Sequence, residues 1–120
     1  MDIIYIRELK TECVIGVWDW ERKIRQNVFF DFEMATDISR AATSDELEDT
    51  LDYKAVSKRV QTFVSESSYQ LVETLAEKVS ELIMTEFNVP WIKLTLNKRG
   101  ALSDAKDVGI IIERGQRPAA

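Results

Sequence analysis

An α+β fold of order ββααββ, with a four-stranded antiparallel sheet carrying two helices on one face, is the architecture this sequence predicts. Three observations carry the prediction. Residues 2–36 contain two β-rich runs about a turn, residues 53–87 contain two stretches with apolar residues at helical spacing, and residues 91–113 contain two further strand-like runs. At 120 residues and 45% hydrophobic content, the chain suits one domain, residues 1–120, with one modest core.

The first strand opens in DIIYIREL (2–9), and its pairing is expected to continue from Thr11 to Ile15, where Gly16 supplies a turn. A polar connection, VWDWERKIRQ (17–26), carries two tryptophans. Val28, Phe30, Phe32 and Met34 then alternate with Asp31 and Glu33, which gives the second strand an apolar and a charged face. Residues 39–52 are polar and acidic, with a single helical turn expected after Ser44.

Asp52 is placed to cap the first main helix, whose apolar positions are Tyr53, Val56, Val60, Phe63 and Val64. Ser65 to Tyr69 break the period. A second helix from Leu71 to Phe87 has Leu71, Val72, Leu75, Val79, Leu82 and Ile83 as its buried stripe, and Asn88 and Pro90 stop it. Strand three, Trp91 to Leu96, alternates Ile92, Leu94 and Leu96 with Lys93 and Thr95. A loop at 97–107 leads to strand four, Val108 to Glu113, and residues 116–120 are expected to be a disordered tail. This arrangement leaves one sheet face and both edge strands open, so a homo-oligomer formed by strand pairing is expected, with Trp18, Trp20 and Phe29 suited to an interface.

Charge and residue usage narrow the chemistry. The chain has 16 Lys and Arg against 21 Asp and Glu, a net charge of −5, which argues against nucleic acid or an anionic membrane as partner. No apolar run approaches the ~20 residues that span a bilayer. The start MDIIYIREL lacks the basic region of a secretory signal. The single cysteine, Cys13, cannot form an intrachain disulfide and reads as a packed apolar residue, in keeping with a reducing cytoplasm. There is no histidine, which removes His-ligated zinc, Ser–His and Cys–His nucleophile pairs and a histidine base. Proton transfer falls to Lys, Tyr, Asp or Glu.

Taken by position, the candidates are ordinary. Lys98 lies just past strand three in LNKRGA, where a lysine is usually a solvated charge. The neighbouring Arg99 would repel its ammonium and ease proton release. Glu73, in the first turn of the second helix, suits the helix dipole and could also anchor a guanidine-like ring edge through two parallel hydrogen bonds. Tyr53 could pack in the core or stack on a ligand, and Glu21 follows Trp20 in a loop. The acidic segment 45–52 lacks the ligand spacing and central glycine of a calcium loop, so no metal site is expected.

Five blocks in order, IGVWDWERK, LDYKAV, LVETLAEKVSELI, LTLNKRGAL and VGIIIERG, together resemble the dihydroneopterin aldolase family of folate biosynthesis, in its gammaproteobacterial form. The resemblance runs from residue 2 to about 115. It implies the tunnelling (T-) fold, in which four subunits join sheets into a barrel and two such rings stack into an octamer. It further implies active sites between subunits, with neither metal nor organic cofactor. By motif, Lys98 corresponds to the acid/base lysine, Glu21 to the carboxylate near the substrate hydroxyls, Tyr53 to the tyrosine given across the interface, and Glu73 to the pterin anchor. Val72, Leu51 and Asp52 correspond to further pterin contacts, and Arg99 stands where related sequences often have proline. The implied reaction is retro-aldol cleavage of dihydroneopterin to hydroxymethyl-dihydropterin and glycolaldehyde, with epimerisation to dihydromonapterin as a side activity. A dihydroneopterin triphosphate epimerase and a non-catalytic pterin- or purine-binding oligomer remain as alternatives.

Overall fold

The structure, a computed structural model, describes residues 1–117. Strands β1 (Asp2–Cys13), β2 (Gln26–Thr36), β3 (Trp91–Arg99) and β4 (Asp107–Gly115) form one antiparallel sheet in sequence order. A short helix, α1 (Ser39–Ser44), follows β2. The main helices α2 (Tyr53–Ser65) and α3 (Val72–Glu86) then cover one face, α2 over β1 and α3 over β3 and β4.

The core lies between this face and the helices. Val28, Phe30, Phe32 and Met34 of β2 and Ile92, Leu94 and Leu96 of β3 meet Val56, Val60 and Val64 of α2 and Leu75, Val79 and Ile83 of α3, all buried. Cys13 is fully buried at the end of β1, as its expected packing role requires. Phe30 and Phe32 stack with ring centroids 5.5 Å apart. The helix period and the strand alternation therefore point their apolar sets at one another, and this mutual burial is what holds the two layers together.

β1 contains a feature that its sequence hides. Ile6 pairs with Phe32 but Leu9 with Phe30, so β1 spends one residue more than β2 over this stretch. Glu8 takes φ 53°, and its N–H donates to Asp31 Oδ1 at 2.6 Å. The bulge changes the parity of the strand: Ile4 and Ile6 face the helices before it, and Leu9, Thr11 and Cys13 after it. Without the extra residue, one half of β1 would turn its apolar side to solvent.

Several sequence expectations change. The helical turn expected after Ser44 is the 3₁₀ turn Leu47–Asp49, and the helix α1 before it was not expected. Tyr53 and Leu71 do not join the buried stripes. Tyr53 is the first residue of α2 and Leu71 caps α3, so both stand outside the helical cover, at 63% and 48% exposure. β3 runs on to Arg99, which puts Lys98 inside the strand and not beyond it. In the tail, the Gln116 N–H bonds the Pro90 carbonyl at 3.1 Å and the Arg117 guanidinium lies over the Trp91 ring, so these two residues are tied down; residues 118–120 lie outside those described. Among the described residues no helix is long and apolar enough to cross a membrane.

Candidate active site

Lys98 shares the helix-side face of β3 with Ile92, Leu94 and Leu96, at the end of the strand where the helical cover stops. Its side chain is 13% exposed, and its Nζ donates to Glu21 Oε2 at 2.6 Å. Glu21 is placed by a single 3₁₀ turn, Glu21–Lys23, in the β1–β2 connection, and is itself buried. Its carboxylate also accepts from the Trp18 N–H at 3.3 Å and from Gln26 Nε2 at 3.4 Å. Burial pushes the Glu21 carboxyl upward, but the Lys98 ammonium, the Trp18 amide and the Gln26 amide together outweigh it and hold the group below its ordinary 4.5. A buried pair of this kind is sustained only while its members remain hydrogen-bonded, and removing one partner strands the other.

Two residues outside the sequence-predicted site build this arrangement. Gln26 Nε2 also donates to the Ile15 carbonyl at 2.7 Å, which fixes the amide that faces Glu21. Gly16 sits at φ 128°, and a β-carbon there would collide with the Glu21 carboxylate. The glycine is therefore required twice, by its backbone angle and by the close approach of Glu21. The turn at Gly16 was legible in the sequence, but its contact with a residue five positions on was not.

Beside the pair opens a cavity of about 370 Å³, walled by Trp18 and Trp20 on one side and by Leu71, Val72 and Glu73 on another. Leu71 offers no side-chain cap to α3, so the first-turn amides are left for a ligand or solvent, and Glu73 stands exposed among them. The wall chemistry is divided. One end presents amide donors and a carboxylate, suited to the edge of a flat heterocycle with mixed donors and acceptors; the other presents a buried ammonium–carboxylate pair able to exchange protons.

Leu51 and Asp52 are elsewhere. They border a second cavity of about 300 Å³ together with Ala35, Phe87 and Val89, and Tyr53 is next to them at the start of α2. Asp52 Oδ1 accepts from the amides of Lys54 and Ala55 at 3.1 Å each, which caps α2. This second cavity adjoins the C-terminal end of α3 and the first its N-terminal end, about 20 Å apart for a 15-residue helix. Within one chain the seven sequence-predicted residues thus form two groups: Lys98, Glu21, Val72 and Glu73, and Leu51, Asp52 and Tyr53.

Arg99 faces away from the Lys98–Glu21 pair. Successive strand residues face opposite sides, and its guanidinium lies 3.9 Å from the Phe29 ring centroid and pairs with Glu8 Oε1 at 2.5 Å, on the face away from the helices. Among the described residues no three Cys, Asp or Glu side chains converge as a metal set.

Comparison with known proteins gives a consistent result. Residues 4–113 match the family described as dihydroneopterin aldolase. The dihydroneopterin aldolase of Escherichia coli (strain K12) is 45% identical over 115 residues, covering 96% of this chain and 94% of the relative. The E. coli dihydroneopterin aldolase structure in complex with neopterin superposes with a TM-score of 0.93 at 45% identity, over 96% of this chain and all of that one. The dihydroneopterin triphosphate 2′-epimerase of E. coli is 26% identical over 110 residues, 92% of each chain.

Proposed function

The chain belongs to the dihydroneopterin aldolase family, and from that premise we propose how its two groups of site residues work. The activity is that of an aldehyde-lyase of folate biosynthesis, which cleaves dihydroneopterin to hydroxymethyl-dihydropterin and glycolaldehyde. The observation that carries the mechanism is the buried Lys98–Glu21 pair set across a cavity from the start of α3.

Aldolases need an electron sink, commonly a lysine Schiff base or a metal. Dihydroneopterin contains one in its own ring imine, whose carbon bears the side chain. Lys98 is therefore assigned proton transfer and no covalent role. Glu73 and the backbone at Val72 hold the pterin edge, which leaves the side-chain hydroxyls toward Glu21. As those hydroxyls compete for the Glu21 carboxylate, the Lys98 ammonium is released from its 2.6 Å contact to exchange protons, through water, with the substrate. Transfer of the proton from the hydroxyl on the second side-chain carbon to this water and Lys98 relay breaks the bond between the first and second side-chain carbons. The electron pair passes into the ring imine, which takes a proton; glycolaldehyde leaves and an enamine remains. Protonation of the enamine carbon, assisted by Tyr53, with loss of the proton taken up by the ring nitrogen, restores the imine and gives hydroxymethyl-dihydropterin. Re-addition of the aldehyde before it escapes gives the epimer, dihydromonapterin, from the same intermediate.

Tyr53, with Leu51 and Asp52, cannot reach Lys98 in its own chain and is assigned to the site of a neighbouring copy. The exposed Tyr53, Trp18 and Trp20 and the open edges of β1 and β4 support that reading, which extends to a barrel of four subunits and a stacked octamer working in the cytoplasm. A triphosphate epimerase fits less well. Among the described wall residues of the cavity beside Lys98 that lysine is the one cation, and it is engaged by Glu21, so this chain's half of the site offers a triphosphate no free counter-charge.

The test is a product assay. Wild-type protein incubated with dihydroneopterin should release glycolaldehyde. Lys98→Ala should lose about 10²-fold or more in kcat while still binding the pterin, and Glu73→Ala should chiefly raise KM. Normal turnover by Lys98→Ala would overturn the assignment. Retention of all aldehyde as epimer would identify the chain as an epimerase.

A further inference from the structure

Arg22 is the neighbour of Glu21, yet it makes no ion pair among the described residues. Its guanidinium instead gathers three backbone carbonyls: Nη1 donates to Gly16 at 3.1 Å and to Tyr69 at 3.1 Å, and Nη2 to Ser68 at 2.5 Å. The first acceptor begins the loop that carries Trp18 and Glu21. The other two are in the connector 66–71, which delivers Leu71, Val72 and Glu73 to the cavity. One half-buried side chain thus ties the two walls of the cavity together, across 46 and 47 residues of sequence.

We propose that Arg22 is a positioning residue: by clamping the Glu21 loop to the α2–α3 connector, it sets the span between the Lys98–Glu21 pair and the end of α3 that receives the substrate ring. The connector has no helix or strand of its own, and α3 has no side-chain N-cap, so the backbone just ahead of Val72 depends on contacts from outside. Guanidinium suits this task. It presents a planar fork of donors, stays charged at any working pH, and is less strongly hydrated than an ammonium, so three carbonyls can replace its water. Gly16 takes part at both ends of the device, since its carbonyl receives Arg22 and its missing β-carbon admits Glu21.

This inference rests on the cavity being the pterin site, and the experiment separates the two. Arg22→Ala and Arg22→Lys are compared with wild type for kcat and KM on dihydroneopterin, and for amide hydrogen exchange along the chain. The expected result is a KM raised about tenfold in both variants with kcat within about threefold, because a misplaced wall weakens the hold on the ring more than it alters the proton carrier. Exchange should quicken in residues 67–73 and stay unchanged in the β2 and β3 amides. Lysine should not rescue, since a point charge cannot span the three acceptors. Unchanged KM, full rescue by lysine, or faster exchange throughout the sheet would each overturn the clamp. Failure of the wild type itself to turn over dihydroneopterin would instead overturn the reading of the site.

Discussion

Glu21 illustrates how far a residue's meaning depends on its surroundings. In the sequence it is a loop carboxylate after a tryptophan. In the fold it is 5% exposed, with Lys98, the Trp18 amide and Gln26 directed at it. Because its folded pKa is depressed, its ionised form contributes stability that is complete above its ordinary 4.5 and lost as the pH falls through the depressed value. Urea unfolding between about pH 2.5 and 5 should therefore show a shallower acid-side loss in Glu21→Gln than in wild type; equal slopes would mean that Glu21 titrates alike in both states. The type of each candidate was legible along the chain, whereas its partner was not. Nothing in the spacing of 77 residues between Glu21 and Lys98 announces a 2.6 Å contact, and Gln26 reads only as the end of a polar connection. Family resemblance named Lys98 and Glu21 but not the glycine, the glutamine or the arginine that holds their loop.

Among the elements, the helices and central strands were readable because their apolar periods are uninterrupted, and Val56–Val60–Val64 and Phe30–Phe32–Met34 are buried as those periods require. Their ends were harder. β3 outran its apolar residues because Asn97, Lys98 and Arg99 still pair with Gly109, Val108 and Asp107 through backbone hydrogen bonds, which no side-chain pattern records. The bulge in β1 escaped notice for a related reason: REL looks like a break in alternation until an extra residue is allowed. The start of α2 was plain, since Asp52 is a good N-cap and accepts from two amides. Asp52→Ala should lower the unfolding free energy by about 1 kcal/mol in urea titration, with little change in the denaturant slope. A loss near zero would show that solvent satisfies those amides equally well.

At the scale of the whole molecule, the order ββααββ and the covered and uncovered faces of the sheet followed from the pattern, and the folded chain has that topology. The separation of the two residue groups to opposite ends of α3 did not follow from it, because helix length says nothing of which loops meet at each end. The assignment of Tyr53 to a neighbouring copy makes a quantitative prediction. Tyr53→Ala and Lys98→Ala proteins, each inactive alone, should regain roughly a quarter of wild-type activity when unfolded together in equal amounts and reassembled, since that fraction of junctions joins two intact halves. Verified mixed assemblies without recovery would place both groups in one chain's site.

The distance between the ends of α3 has a further consequence, one of counting. On the proposed sharing of sites, a chain carries the front of one site and the back of another and works like a link with two unlike hooks. An open row of such links always leaves an unmatched hook at each end, so a head-to-tail pair has one working junction, and only a closed circuit gives as many junctions as chains. Output per chain would then fall on dilution as circuits open, even though every chain remained folded, and the quantity of protein present would itself govern how much of it works.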